Sequence, residues 1–266
     1  MKVFAIDMDG TCLNSKNRIS EEKIRWMHRA KEAGIEIVPT TGRPLACVPG
    51  QLTTEKLFRY VITSNGAAVI DTQTGETIFQ ALLPQETAED LIRACSGPGL
   101  GITAHVNRQS LTQGRLLTAI GRLTYGPDAA STRTVRRMIP YIHSRTYDVE
   151  ELQFFFFSKK ARLRTEEAVR RFPYIAAAYT DHYVELYSEN ATKGTALAAL
   201  AKHLSAEKEE IACIGDAEND IPMFRTAGTR FAMGNSVPSL KSMADCVVSS
   251  NDEDGVAEAI RLLLAG

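Results

Sequence analysis

The hydrophobic positions of this chain change period several times along its length. Val3-Phe4-Ala5-Ile6 is a short apolar run of strand type, and it meets Asp7-Met8-Asp9-Gly10-Thr11. Ser20 is placed to cap a helix that runs to about Ala33, where Gly34 stops it. Ile35 to Val38 reads as a second strand, ending on Pro39-Thr40-Thr41-Gly42-Arg43-Pro44. Pro44 suits the first turn of another helix, which Pro49-Gly50 makes short or kinked. Tyr60 to Thr63 reads as a third strand and ends on Ser64-Asn65-Gly66. Strands alternating with helices predict a parallel sheet with right-handed crossovers, with ligands beyond the C-terminal ends of the strands.

Near residue 83 the rhythm changes. Strand-like runs cover Ile102 to Val106, Glu151 to Ser158, Ile175 to Thr180 and Tyr183 to Tyr187; helical patterns cover Gln85 to Cys95 and Arg162 to Phe172. Asp181-His182 looks like a tight turn, so its flanking strands should pair antiparallel. Residues 107–150 carry no assignable pattern. The alternating rhythm then resumes with a helix from Thr192-Lys193-Gly194 to about Leu204. A strand Ile211 to Ile214, a helix Ile221 to Thr226, a strand Arg230 to Ala232 and a helix Val256 to Leu264 complete the chain. The expected fold is α/β: a doubly wound parallel sheet built from residues 1–82 and 189–266, with an α+β domain, residues 83–188, inserted and joined by two crossings.

Composition narrows the function. With 24% charged and 44% hydrophobic residues among 266, the chain is ordinary for a globular protein. A formal net charge of −1 provides no general attraction to nucleic acid or to an anionic membrane. No apolar run approaches the roughly 20 residues that span a bilayer, and Asp7 and Asp9 interrupt any signal-peptide core. Five scattered cysteines without a Cys-x-x-Cys pair suit neither a disulfide framework nor a zinc site. A cytoplasmic enzyme acting on a small molecule, with no obligate protein partner, is the expectation.

The acidic residues carry the chemistry. Alternation along a strand would place Asp7 and Asp9 on one face, and Gly10 lets the backbone turn away. A second acidic cluster, Gly215-Asp216-Ala217-Glu218-Asn219-Asp220, also follows an apolar strand, so the two should form one site. Glycine stands fourth in the first motif, after a strand, which argues against a calcium loop. Thr41-Gly42 and Lys193-Gly194 fall at the same sheet edge. Metal-binding acids, a hydroxyl beside a glycine at a helix start and a lysine together suit a phosphoryl group. An aspartate meeting a phosphate dianion is repelled by about 4 kcal/mol per unit charge at 4 Å and an effective dielectric of 20. A divalent cation and Lys193 would reverse that sign. Asp7 could then attack phosphorus while Asp9 donates a proton.

With these motifs in this order, the chain resembles the haloacid dehalogenase superfamily phosphatases, specifically the Cof-like group with a type IIB cap. Ala232-Met233-Gly234-Asn235 and Asp254-Gly255-Val256-Ala257 resemble the same group. The resemblance implies that Asp7 is nucleophile and magnesium ligand, and that Asp9 is the acid/base, lending the metal its backbone carbonyl. Asp216 would be the third ligand, with Asp220 in support, and Thr41, Gly42, Lys193 and Asn219 would hold the phosphoryl group. The expected activity is Mg2+-dependent hydrolysis of small phosphomonoesters, sugar phosphates among them, through an aspartyl-phosphate, with the inserted module as specificity cap. A phosphohexomutase and a non-catalytic phosphometabolite-binding protein are the alternatives. His105 and Arg115 could face substrate, though a solvated cap surface is the plainer reading, and His28 reads as a surface or packing residue. The run Phe154 to Phe157 predicts a strand buried on both faces.

Overall fold

The computed structural model describes residues 1–119, 131–145 and 147–265. The chain forms two compact units. One comprises Met1–Gly42, Pro49–Gln80 and Thr192–Gly266; the other comprises Arg43–Val48 and Ala81–Ala191. The chain therefore passes between units four times rather than the two expected, because Arg43–Val48 groups with the second unit. There Leu45–Cys47 makes a 3-10 turn, and Ala46 N donates to Arg108 O at 3.0 Å.

In the first unit, β1 (Val3–Asp7) is buried throughout. α1 (Glu21–Glu32) is capped by Ser20, whose side chain accepts from Lys23 N, and Gly34, at φ +82°, turns the chain out of it. β2 (Glu36–Thr40) follows. The next helix is interrupted, as its prolines foretold: only α2 (Gly50–Thr54) forms, after Pro49. β3 (Tyr60–Thr63) leads into an antiparallel meander of β4 (Ala68–Asp71) and β5 (Thr77–Gln80), so the sheet is not wholly parallel.

The second unit holds α3 (Gln85–Cys95), β6 (Leu100–Val106), β7 (Gln109–Gln113), β8 (Arg133–Val135), α4 (Met138–His143), β9 (Val149–Phe156), α5 (Lys159–Val169), β10 (Ile175–Tyr179) and β11 (Tyr183–Ser188). Its sheet runs β10-β11-β9-β6-β7-β8, antiparallel except for β7–β8. Ile102, Ala104, Leu152, Phe154, Val184 and Leu186 form one sheet face and pack in a core with Leu91, Ile92 and Met138 of the helices. Within the phenylalanine run Phe154 is fully buried in this core and Phe155 and Phe156 are half-buried, whereas Phe157, past the end of β9, is 61% exposed. Burial on both faces was the wrong expectation.

The first unit resumes with α6 (Lys193–His203), β12 (Ile211–Gly215), α7 (Ile221–Thr226), β13 (Thr229–Ala232), α8 (Pro238–Lys241), β14 (Cys246–Val247) and α9 (Gly255–Ala265). Its strands lie in the order β14-β13-β12-β1-β2-β3-β4-β5, parallel from β14 to β3. Val3, Ala5, Val38 and Ile62 pack under Leu197, Leu200 and Phe224 of α6 and α7, while α1 and α9 pack together. From β1 the chain moves one way to β2 and β3, and from β12 the other way to β13 and β14. The C-terminal ends of β1 and β12 thus flank the switch point at which open α/β sheets gather ligands.

Candidate active site

Asp7 ends β1, and the chain then turns sharply through Met8–Cys12, with Asp9 (φ −78°, ψ 119°) and Gly10 (φ +82°) outside helical geometry. Gly10 is required on two counts. Its backbone is left-handed, and a Cβ there would stand 2.3 Å from Asp216 Oδ2. Thr11 Oγ1 donates to Asp216 Oδ1 at 3.0 Å, joining the two acidic loops. The strand stops at Asp7, so the two acids do not share a strand face: Asp7 is buried and Asp9 exposed.

The second loop is held by Asp220. Its Oδ2 accepts from Asp216 N at 2.9 Å and Ala217 N at 3.1 Å. Lys193 opens α6, where Thr192 Oγ1 accepts from Thr195 N at 3.0 Å as the cap. Lys193 Nζ donates to Asp7 Oδ1 at 2.5 Å and to Asp220 Oδ1 at 2.6 Å, with all three side chains buried.

Asp7, Asp216 and Asp220 each present an oxygen within 4.8 Å of the others. Burial, then the charge of Asp220, pushes the Asp7 carboxyl well above the usual range, and Lys193 opposes them. The same two causes raise Asp216. Burial works against the charge of Lys193, yet Asp220 and Asp7 hold its ammonium above the ordinary lysine range. Asp7 Oδ2 is buried with no hydrogen-bond partner among the described residues. An orphaned carboxylate oxygen beside two further hard oxygen donors fits a divalent cation such as magnesium. Asp9's side chain is not one of the three.

The remaining residues expected to hold phosphate also fall around this edge. Thr41 is fully buried, and its N–H is already donated to Ile62 O at 2.9 Å. No helix begins after Gly42, because Pro44 and Pro49 confine the segment to a 3-10 turn, so the expected helix N-terminal anion site is absent there. Asn219 Nδ2 donates to Asn65 Oδ1 at 3.2 Å. Asn65 was not among the expected site residues; an Asn-Gly pair directly after a strand was its only signal.

Three further side chains hold the Asp7 loop by its carbonyls. Asn235 Nδ2 donates to Gly10 O at 2.8 Å, and Asn251 Nδ2 to Leu13 O at 3.0 Å. Lys23, fully buried on α1, donates from Nζ to Cys12 O at 3.1 Å and Asn251 O at 2.6 Å. In the second unit His105 is 4% exposed rather than solvated, whereas Arg115 is exposed. His28 lies partly exposed beside Glu55, at 3.3 Å.

Residues 4–260 match the family model of haloacid dehalogenase-like hydrolases. Phosphatase YwpJ of Bacillus subtilis is 31% identical over 99% of this chain and 100% of its own length. The 5-amino-6-(5-phospho-D-ribitylamino)uracil phosphatase YwtE of the same organism is also 31% identical, over 100% of this chain and 99% of its own. A solved haloacid dehalogenase-like hydrolase from B. subtilis superimposes with a TM-score of 0.86 at 28% identity, covering 99% of this chain and 100% of that one.

Proposed function

The chain belongs to the haloacid dehalogenase-like hydrolase family and is a phosphatase, and we propose that it hydrolyses small phosphomonoesters of the sugar-phosphate type through an aspartyl-phosphate on Asp7. One observation carries this reading: Lys193 Nζ bridges Asp7 and Asp220 within an acid cluster at the C-terminal ends of β1 and β12. An isolated acid cluster would repel a phosphate dianion; one with a built-in ammonium and room for a cation attracts it.

In the first half-reaction an Asp7 carboxylate oxygen attacks phosphorus. The bond from phosphorus to the leaving oxygen breaks, and that oxygen takes the proton carried by Asp9. In the second half a water attacks the same phosphorus, Asp9 takes its proton, and the bond to Asp7 breaks to release inorganic phosphate. Asp9 is exposed, as a residue that exchanges protons with the leaving group and with water must be. Thr41, Gly42, Lys193 and Asn219 hold the phosphoryl oxygens. Asp7, the Asp9 carbonyl and Asp216, with Asp220 in support, would hold a magnesium ion, which would supply positive charge to offset repulsion between nucleophile and phosphate.

The second unit supports the choice of substrate class. The sheet face opposite its apolar core carries Thr103, His105, Thr112, Glu151, Gln153 and Glu185. Hydroxyls, carboxylates, an amide and an imidazole are of the kinds that hydrogen-bond a polyol, and of these residues Gln153 and Glu185 are the half-buried ones. The name of YwtE specifies a phosphorylated ribityl chain, a polyol of this kind. Cysteines that are all free suit a cytoplasmic enzyme.

The test is release of inorganic phosphate from a panel of hexose, pentose and ribityl phosphates with magnesium present. Release at a kcat/KM of about 10⁴ M⁻¹s⁻¹ for at least one polyol phosphate is expected. Hydrolysis restricted to phosphates without hydroxyls would overturn the substrate class. Isomer interconversion without release would replace hydrolysis by a mutase reaction.

A further inference from the structure

The turn that follows β3 is left-handed at three consecutive residues: Ser64 (φ +49°), Asn65 (φ +56°) and Gly66 (φ +101°). Only glycine adopts this region without cost, and asparagine tolerates it better than most residues. Two consecutive non-glycine residues there require the surroundings to impose the conformation. Those surroundings can be read from the contacts. Asn65 N donates to Thr41 O at 3.0 Å. Its side-chain amide lies over Gly42, with Nδ2 and Oδ1 each 3.2 Å from where a Cβ on that glycine would stand. Asn65 Oδ1 accepts from Asn219 Nδ2 at 3.2 Å. Gly66 is laid against the residue before Lys193, since a Cβ there would stand 2.1 Å from Thr192 O.

One three-residue turn therefore touches all three segments proposed to hold the phosphoryl group. The structure assigns Asn65 as a positioning residue that orients the Asn219 amide and the Gly42 backbone toward phosphate oxygens. This rests on the phosphatase reading above. The left-handed backbone aims the Asn65 amide at Gly42 and Asn219, and the burial of Asn65, 4% exposed, keeps water from competing for that amide.

Asn65→Gly separates positioning from backbone strain, because glycine keeps the left-handed turn and removes only the amide. In that variant the melting temperature is expected to stay at or above the wild-type value. KM and the inhibition constant of inorganic phosphate should both rise about fivefold to tenfold, the equivalent of one lost hydrogen bond, with a smaller change in kcat. Asn65→Ala should show the same kinetic loss together with a lower melting temperature. If Asn65 acts through Asn219, the Asn65→Gly/Asn219→Ala pair should bind phosphate no worse than Asn219→Ala alone. Wild-type KM and phosphate inhibition in a folded Asn65→Gly protein, with the parent active, would overturn this assignment alone, as would strict additivity in the pair. A parent protein that releases phosphate from no ester would instead overturn the phosphatase reading beneath it.

Discussion

Lys193→Met isolates the electrostatics of the site. In the native protein Nζ lies 2.5 Å from Asp7 Oδ1 and 2.6 Å from Asp220 Oδ1, with the lysine 1% exposed. Methionine fills nearly the same volume and carries no charge, so little packing is lost. What remains is a group of three carboxylates with oxygens within 4.8 Å of one another and no compensating cation. At that separation and an effective dielectric near 20, each pair repels by about 3.5 kcal/mol. Removing one partner of a buried ion pair costs about 3–5 kcal/mol once protonation and relaxation have absorbed part of the strain. For a unit of about 150 residues that is a fall in melting temperature on the order of 10 °C. Thermal unfolding followed by circular dichroism, in chelator at neutral pH, measures it. Excess magnesium should recover a good part of the loss by supplying the missing charge, and Asp220→Asn in the same chain should recover at least half of it without magnesium. Phosphate release should stay absent throughout. A Lys193→Met protein melting within 2 °C of wild type in chelator, or one that Asp220→Asn further destabilises, would refute the account.

Asp7→Asn should lower phosphate release by at least about 10⁴-fold with an unchanged circular dichroism spectrum, since an amide cannot form the acyl-phosphate; wild-type turnover would remove the nucleophile assignment. Chelation should abolish activity, magnesium restore it, and calcium restore about a hundredth of it or less, because looser coordination misplaces nucleophile and phosphorus; full activity in excess chelator would contradict the metal reading. Gly10→Ala places a methyl 2.3 Å from Asp216 Oδ2 on a left-handed backbone, so kcat should fall about a hundredfold and magnesium titration weaken; unaltered kinetics would show that this loop yields freely. Burial pushes the His105 imidazole down to about 3, while Nδ1 lies 3.7 Å from Glu151 Oε1, beyond hydrogen-bonding distance. The folded state then binds fewer protons than the unfolded chain below about pH 6.5, so stability is lost as pH falls, by about 2 kcal/mol between pH 6.5 and 5. Urea unfolding at both values should show this slope in wild type and a reduced one in His105→Gln.

The legible parts of the chain were those whose meaning is carried locally. Ser20 and Gly34 delimit α1, and the turn at Asp181-His182 joins β10 to β11 in antiparallel register, because capping and turn chemistry act over a few residues. The acidic motifs were legible as a pair: either alone suits an ordinary turn, but two acid-tipped strands far apart in the chain point to one shared site. Ala68 to Gln80 escaped assignment: its strands are four residues each, and β5 is largely exposed, so neither shows a clean alternation. The phenylalanine run misled because composition does not say how many layers cover a sheet. Arg43–Val48 groups with the second unit through contacts with β7 and a backbone bond to Arg108, all far along the chain, and two prolines near it signalled only a broken helix.

Lys23 makes the deeper reason plain. On an amphipathic helix a lysine reads as a solvated residue, yet this one is wholly buried, with its Nζ shared between the carbonyls of Cys12 and Asn251. Burial of an ammonium is costly unless acceptors are already fixed in place. Here they are fixed by backbone from the two ends of the chain, which no local pattern can disclose. Asn65 is the same case. An asparagine before a glycine signals a turn, but its amide acquires a role only because β2 and the loop after β12 deliver Gly42 and Asn219 beside it. Catalytic carboxylates and a lysine at a helix start announce themselves by their own chemistry. The residues that aim them are common types in ordinary local settings, and their function exists only in the assembled sheet.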